Sequence, residues 1–310
     1  MSTASTTATG RAPTLALRPR PRFGKDVRSA AVFLLPASIG LLAFYLVPAI
    51  RGLYYSFTDY AVLTPAEWTG LDNYSRLLHD PQFWNAMGVT LYYVALNIGF
   101  QTIIAVVLAV LMQRLTKSTV IRGMALLPYF VANVVVALVW YFMMDYQVGI
   151  VNVLFEAMGA DKVAFFGDPV WAIPTVAFIN VWRHMGYTAL LVFAGIQTIN
   201  PSVYEAADID GAGEGRKFFQ VTLPLLRPVL AMVLVVTITG SFQIFDTVAV
   251  TTKGGPINAT RVIYYYIWDL AFGQLDFGYA SALAMVLFLF LLVFSLLQLK
   301  LMRANESDEL

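Results

Sequence analysis

Apolar residues in this chain run in long blocks rather than in alternation, and charges bound the blocks. Between Arg28 and Arg51 lie 22 uncharged residues, between Asp80 and Arg114 33, between Arg122 and Asp145 22, and between Asp276 and Lys300 23. About 20 helical residues cross a hydrocarbon core of about 30 Å, so each interval predicts a spanning helix. Two further blocks, Pro169 to Tyr204 and Pro228 to Thr252, are apolar but carry one charge each, Arg183 and Asp246. A charge at the centre of a span costs roughly 2.5 to 3.5 kcal/mol even on an insertion scale. Arg183, about midway along its block, is therefore expected to face a bundle interior or a wet cavity. The pattern predicts an all-α, polytopic membrane protein with six transmembrane helices.

Composition supports this class. Of 310 residues, 59% are hydrophobic and 13% charged, against about 45–50% and about 25% in soluble domains. The net charge of +1 leaves no bulk field to recruit nucleic acid. The absence of cysteine and the presence of only two histidines argue against thiolate chemistry and a His-rich metal cluster.

Lys and Arg set the expected orientation, because short loops rich in them stay cytoplasmic. With the N-terminus inside, 14 of the 20 basic residues fall in inner segments, and four, Arg76, Lys162, Lys253 and Arg261, fall in outer loops. Both termini are then cytoplasmic. Residues 1–28 read as a disordered basic tail without the apolar block of a signal peptide. Residues 29–302 form the six-helix domain, and 303–310 a second cytoplasmic tail. Pro36, Pro48, Pro128 and Pro174 are expected to kink helices.

One inner loop differs from the other connectors. From Asn200 to Pro228, Pro201 and Ser202 open a short helix, Gly211, Gly213 and Gly215 make a turn, and a second helix follows through Arg216 to Val221. This is a cytoplasmic hairpin whose expected outer face carries Tyr204, Ala207 and Phe218 beside Glu205, Asp208, Asp210 and Arg216. Its residues Glu205-Ala206-Ala207, then Gly211, then Val221, Leu223 and Pro224 resemble the loop motif of ATP-binding-cassette importer permeases, with Val221 where isoleucine is usual. The string Glu205 to Ala212, Thr252 to Pro256 and Gly149 to Asn152 are similar to the carbohydrate-uptake branch, and within it to trehalose-importing members.

The resemblance implies a non-catalytic subunit of the bacterial cytoplasmic membrane that imports a sugar, with a disaccharide such as trehalose expected. The implied partners are a second homologous permease subunit, two copies of a cytoplasmic ATPase, an extracytoplasmic sugar-binding lipoprotein and membrane lipid. ATP and Mg would bind the ATPase, and no cofactor this chain. Glu205, Ala206, Ala207, Asp210, Gly211, Leu223 and Pro224 would couple to the ATPase.

A neutral hydroxylated ligand needs a flat apolar face together with fixed donors and acceptors. Asn133, Asn180, Trp182, Tyr187, Phe242, Gln243, Phe245 and Asp246 offer these within spans, and Arg183 is a candidate wall of the path or an ion-pair partner of Asp246. In maltose-type relatives the stretches matching Tyr187, Phe242, Gln243 and Asp246 contact sugar, although Gln243 and Asp246 stand where those relatives carry Asn. His184 reads as an ordinary packed histidine rather than a proton relay. A self-sufficient ion-coupled carrier is the rival reading, but it would have only Asp246 to titrate and no use for the loop. A membrane enzyme is disfavoured because no nucleophile, base or ligand cluster converges.

Overall fold

The structure, a computed structural model, describes residues 23–115 and 117–307. The chain divides into two compact units, one ending at Arg51 and one starting at Gly52. Helix α1 (Phe23–Leu41) leads through a wider π turn at Leu42–Leu46 into α2 (Val47–Tyr55). Residues 23–28, expected in the basic tail, instead open α1, and the rest of that tail lies outside the described residues. From Ala30 to Ile50 nearly every side chain is exposed. The π turn ends just before Pro48, where a missing N–H cannot continue an ordinary α turn.

Among its described residues the second unit is helical apart from one small hairpin and an isolated bridge between Ala61 and Asp276. Strands β1 (Thr58–Asp59) and β2 (Glu67–Trp68) pair antiparallel, with Thr58 opposite Trp68. This is a small departure from the all-α expectation. Then come α3 (Asp72–His79), α4 (Pro81–Leu115), α5 (Thr119–Met124), α6 (Leu127–Phe130), α7 (Asn133–Met143) and α8 (Ile150–Ala157). After these come α9 (Pro169–Ile196), α10 (Pro201–Ile209), α11 (Glu214–Lys217), a π turn at Phe218–Thr222, α12 (Leu223–Leu225) and α13 (Arg227–Phe242). The chain ends with α14 (Asp246–Thr251), α15 (Ile263–Trp268), a π turn at Asp269–Gly273 and α16 (Phe277–Ser307). Residues 303–307, expected in a tail, therefore extend α16.

Among the described residues, four helices are long and apolar enough to cross a membrane: Ala30–Tyr55, Pro81–Leu115, Arg227–Thr251 and Phe277–Gln298. The expected third span is divided among α5, α6 and α7, and α7 alone has 11 residues. Helix α9 has the length, 28 residues, but Asn180, Arg183 and His184 interrupt its apolar run.

The core of this unit forms where α4 crosses α9. Ala105, Ala109 and Ala189 are fully buried there, and small side chains let two helix backbones approach closely. Helix α4 shows why the bundle suits lipid. Phe100, Ile103, Val107 and Leu111 stand exposed on one face, while Asn97 and Gln101 are buried on the other. Apolar surface outside and polar groups inside is the arrangement hydrocarbon favours.

Gly186 on α9 is required by a close approach, since a Cβ there would stand 1.7 Å from the Ala125 carbonyl oxygen. Pro174 is accommodated within α9 without a break, and Pro128 sits in the first turn of α6, where its missing N–H is harmless.

Candidate functional site

Two interruptions in the helices meet at a polar cavity. The first follows α6, where Val131 and Ala132 leave helical geometry before α7 begins at Asn133. The second separates α13 from α14, with Phe245 at φ −141° and ψ −60°. Breaks free backbone groups that hydrocarbon cannot satisfy, so at membrane depth they persist only where protein or a wet cavity receives them. Arg183 receives part of the first: its Nε donates to the Val131 carbonyl at 3.0 Å and its Nη2 to the Tyr129 carbonyl at 3.0 Å. Asn133 Nδ2 donates to Asp246 Oδ2 at 3.1 Å, linking the two breaks.

The cavity has a volume of about 270 Å³. Of the residues expected to form a substrate path, Asn133, Asn180, Tyr187, Gln243 and Asp246 line it. Tyr187 stacks on Tyr129 with ring centroids 4.6 Å apart and planes 10° from parallel. Phe242 lies elsewhere, buried against the rings of Phe290 and Phe294. Trp182 packs edge-on against Trp140. Arg183 is turned to the carbonyls of Tyr129 and Val131 at the end of α6 and is not among the residues lining the cavity. Its Nη1 also donates to His184 Nε2 at 2.9 Å, so that nitrogen is an acceptor and Nδ1 donates to the Asn180 carbonyl at 3.0 Å. Both ring nitrogens of His184 are thereby engaged.

Sequence reasoning missed the floor of the cavity. Asn97 Nδ2 donates to Ser241 Oγ at 2.8 Å and to Gln101 Oε1 at 3.2 Å, and Gln101 Nε2 donates to Thr188 Oγ1 at 2.8 Å. These neutral groups join α4, α9 and α13. A scan for charges passes over them, whereas a scan for amides within apolar blocks would have found Asn97 and Gln101.

The loop at 200–228 is a hairpin of short helices. Asn200 caps α10 by accepting from the Ser202 amide at 3.0 Å. The chain turns at Gly211, whose φ of +70° lies in the left-handed region. Gly213 has an extended backbone and Gly215 lies inside α11, so the turn rests on Gly211 rather than on all three glycines. The π turn at Phe218–Thr222 extends the second arm, and Pro224 sits in the first turn of α12.

The exposed face differs from the expected one. Ala207 is buried, and Tyr204 is half-buried with its hydroxyl 3.1 Å from Thr222 Oγ1. Glu205, Ala206, Asp210, Ile209 and Phe219 are exposed. Leu223 and Pro224 are half-buried. Lys217 pairs with Asp208 and, at 3.1 Å, with Glu214, while Arg114 at the end of α4 holds Glu214 at 2.7 Å. Donation to Asp208 first, and to Glu214 second, raises the Lys217 amine above its ordinary value.

Outside the spans, Asp80 anchors α15 and α16. Its Oδ2 accepts from the Tyr266 hydroxyl at 2.6 Å and the Tyr279 hydroxyl at 2.7 Å, and its Oδ1 accepts from the Gln82 amide at 2.8 Å. Burial pushes the carboxyl up, but these donors outweigh it and hold it below the usual aspartate range.

Residues 101–304 match the family model described as binding-protein-dependent transport system inner membrane component. The sulfoquinovosyl glycerol transport system permease protein SmoG of Agrobacterium fabrum is 34% identical over 285 residues, covering 89% of this chain and 91% of its own. The trehalose/maltose transport system permease protein MalF of Thermococcus litoralis is 30% identical over 285 residues, covering 91% and 96%. Among solved structures, a bacterial ABC transporter involved in the import of the acidic polysaccharide alginate superposes with a TM-score of 0.81 at 26% identity, over 91% of this chain and 99% of that one. A bacterial alginate ABC transporter in complex with an alginate pentasaccharide-bound periplasmic protein gives a TM-score of 0.78 over 89% and 96%. The helical fold, the apolar spans and these matches agree: the chain belongs to the binding-protein-dependent transport system inner membrane components, as a non-catalytic permease subunit of an ABC importer.

Proposed function

We propose that this chain forms half of a pore that imports a neutral sugar, a disaccharide such as trehalose, together with a second permease subunit. The observation that carries this reading is the junction of two helix breaks at Asn133 and Asp246 in a cavity lined by amides and Tyr187. Interrupted helices at membrane depth are where transporters place substrates. Among the described residues lining the cavity the one acidic side chain is Asp246, both ring nitrogens of His184 are taken by Arg183 and the Asn180 carbonyl, and Arg183 itself is engaged with carbonyls. An acidic cargo would meet no cation there. At about 270 Å³ the cavity falls below the usual 300 to 1,000 Å³ of ligand pockets, which favours a site completed by the partner subunit.

In this reading six segments span the membrane, α5 to α7 making the broken third and α9 the fourth, with both termini cytoplasmic. The hairpin at 200–228 seats on a cytoplasmic ATPase through Glu205, Ala206, Asp210 and the turn at Gly211, with ATP and Mg bound by that ATPase. An extracytoplasmic sugar-binding lipoprotein delivers the cargo. The test is uptake of labelled trehalose, maltose and glucose by vesicles holding the complete complex, with and without ATP. Uptake that persists without ATP but follows an ion gradient would favour the carrier reading instead. Reporter fusions at Pro65, Gly159 and Pro256 are expected outside, and at Lys117 and Gly213 inside.

A further inference from the structure

The second arm of the hairpin is held at two points a turn apart. Phe218 packs against the cluster of Val106, Ala109, Val192 and Ile196, where α4 and α9 meet. Four residues earlier, Glu214 Oε2 pairs at 2.7 Å with Nη2 of Arg114, in the last turn of α4. A single contact is a pivot, whereas two contacts fix an angle. Lys217 carries the constraint to the first arm, since it pairs both with Asp208 on α10 and with Glu214.

The ion pair spans a gap. Arg114 and Glu214 border a space of about 280 Å³ that is also lined by Val110 and Gln113 of α4 and by Tyr204 and Thr222 of the hairpin. Without the pair, the arm is free to swing about Phe218 into that space. The turn between the arms would yield as well, because Gly211, Gly213 and Gly215 have open space where a Cβ would stand and glycine restrains its backbone least. The two long helices behave differently. Ala105, Ala109 and Ala189 are fully buried between α4 and α9, and backbones packed this closely move together. Farther along α4, about 20 to 26 Å from Arg114 at 1.5 Å per residue, Gln101 and Asn97 line the polar cavity.

We propose that Arg114 is a positioning residue that braces the hairpin, through Glu214, against the packed pair of α4 and α9, so that displacing the hairpin moves this pair and the cavity floor instead of bending the hairpin at its glycine turn. The inference rests on the seating of the hairpin on an ATPase proposed above. An ion pair that only added stability would change how much complex folds. A brace changes how much sugar moves per ATP, and that ratio decides the experiment.

Arg114→Gln and Glu214→Gln each remove the pair and leave Lys217 its bond to Asp208. Each variant is assembled in the full complex and scored for co-purified ATPase, basal and sugar-stimulated ATP hydrolysis, and uptake of labelled trehalose, maltose and glucose. Exposed ion pairs contribute up to about 1 kcal/mol, which converts to about fivefold. Both variants are expected to keep the ATPase and its basal hydrolysis and to move about two- to fivefold less sugar per ATP, with the double variant no worse than either single one. An unchanged ratio in both would overturn the brace while leaving the hairpin as the docking element. Parallel falls in uptake and hydrolysis would also overturn it, as a loss of folded complex. Because this chain has no cysteine, Arg114→Cys combined with Glu214→Cys places a unique thiol pair at the joint. Closing it with a reducible bis-methanethiosulfonate linker should restore the ratio, and reduction should lower it again. A lower ratio in the linked form would mean that the joint has to open during transport, which overturns the brace. Absence of sugar-stimulated hydrolysis in the unmodified complex would overturn the coupling reading and the brace with it.

Discussion

Asn133 Nδ2 donates to Asp246 Oδ2 at 3.1 Å, joining the first residue of α7 to the first residue of α14 across 113 positions. Each residue sits where its helix restarts after a break. An acidic group in a first turn is favoured by the helix dipole, so Asp246 suits its place even without a cation. Helix α14 packs directly on α7, which makes this bond the polar part of an otherwise apolar contact.

Removing the two partners of that bond should have unequal effects. Asn133→Ala leaves a carboxylate at membrane depth without its donor, whereas Asp246→Asn leaves two amides that can still pair. Leaving a buried charged acceptor unsatisfied costs more than about 1 to 3 kcal/mol; because Asp246 is half-exposed, about 1 to 2 kcal/mol is expected after discounting for solvent. Thermal unfolding in detergent should show Asn133→Ala to be the less stable of the two. Equal stability would show that the bond does not hold the breaks together.

Gly186 gives a second stability prediction. The Ala125 carbonyl oxygen occupies the position a Cβ would take, and backbone cannot yield as a flexible side chain can. Gly186→Ala should cost about 1 to 3 kcal/mol or more through overpacking and shift the neighbouring Tyr187 ring away from Tyr129. Lower yield of folded complex and a lower thermal midpoint would report this, whereas an unchanged midpoint would contradict the close approach.

Asp80 should make part of the stability depend on acid. Its folded carboxyl lies below its ordinary value because Tyr266, Tyr279 and the Gln82 amide donate to it against the effect of burial. A depressed carboxyl contributes stability that is complete above the unfolded value, about pH 4, and is lost as pH falls through the lower folded value. Asp80→Asn should lower the thermal midpoint at neutral pH and remove this share of the decline below about pH 4. A variant that keeps the full acid sensitivity would assign that sensitivity to other groups.

Charge-free intervals made three of the four helices long and apolar enough to cross a membrane legible in the sequence, because ionised groups are so costly in hydrocarbon. The same criterion could not see where a span breaks. Val131 and Ala132 are ordinary apolar residues, and the break there becomes visible only through Arg183, whose guanidinium meets the freed carbonyls. Neutral amides were equally silent: Asn97 and Gln101 lie within the longest uncharged interval yet form the cavity floor. On the hairpin, the helix start at Pro201 and a turn among the glycines were legible, while the cap at Asn200 and the concentration of the turn at Gly211 emerge from the structure. Which side of α10 is free depends on packing, and Ala207 and Tyr204 turned inward while Ile209 remained exposed.

Substitutions in the cavity should separate transport from assembly. Tyr187 and Gln243 line the cavity, and Gln243 is exposed at the end of α13, so its loss disturbs little packing. Gln243→Ala and Tyr187→Ala should each reduce sugar uptake by about tenfold, since a fixed polar contact is worth about 1 to 1.5 kcal/mol, and the complex should still purify intact. Normal uptake in both variants would place the sugar contacts on the partner subunit.

The hairpin gives the most specific test of the proposed coupling. Glu205 is exposed on α10 beside Ala206, so reversing its charge disturbs no packing within this chain and acts only through a docked partner. Truncating or reversing a charge at a desolvated interface costs about 2 to 5 kcal/mol, and Glu205→Lys should weaken ATPase docking by more than tenfold. Gly211 acts through geometry. No atom lies within 4 Å of a Cβ placed there, so the whole cost of a side chain is the left-handed backbone at φ +70°. A β-branched residue tolerates that region worst and asparagine best among other residues, which predicts that Gly211→Val abolishes coupled uptake while Gly211→Asn retains much of it. Sugar-stimulated ATP hydrolysis measured beside uptake in the reconstituted complex decides the matter. Hydrolysis and uptake at normal levels in both Glu205→Lys and Gly211→Val would remove the hairpin from the coupling path.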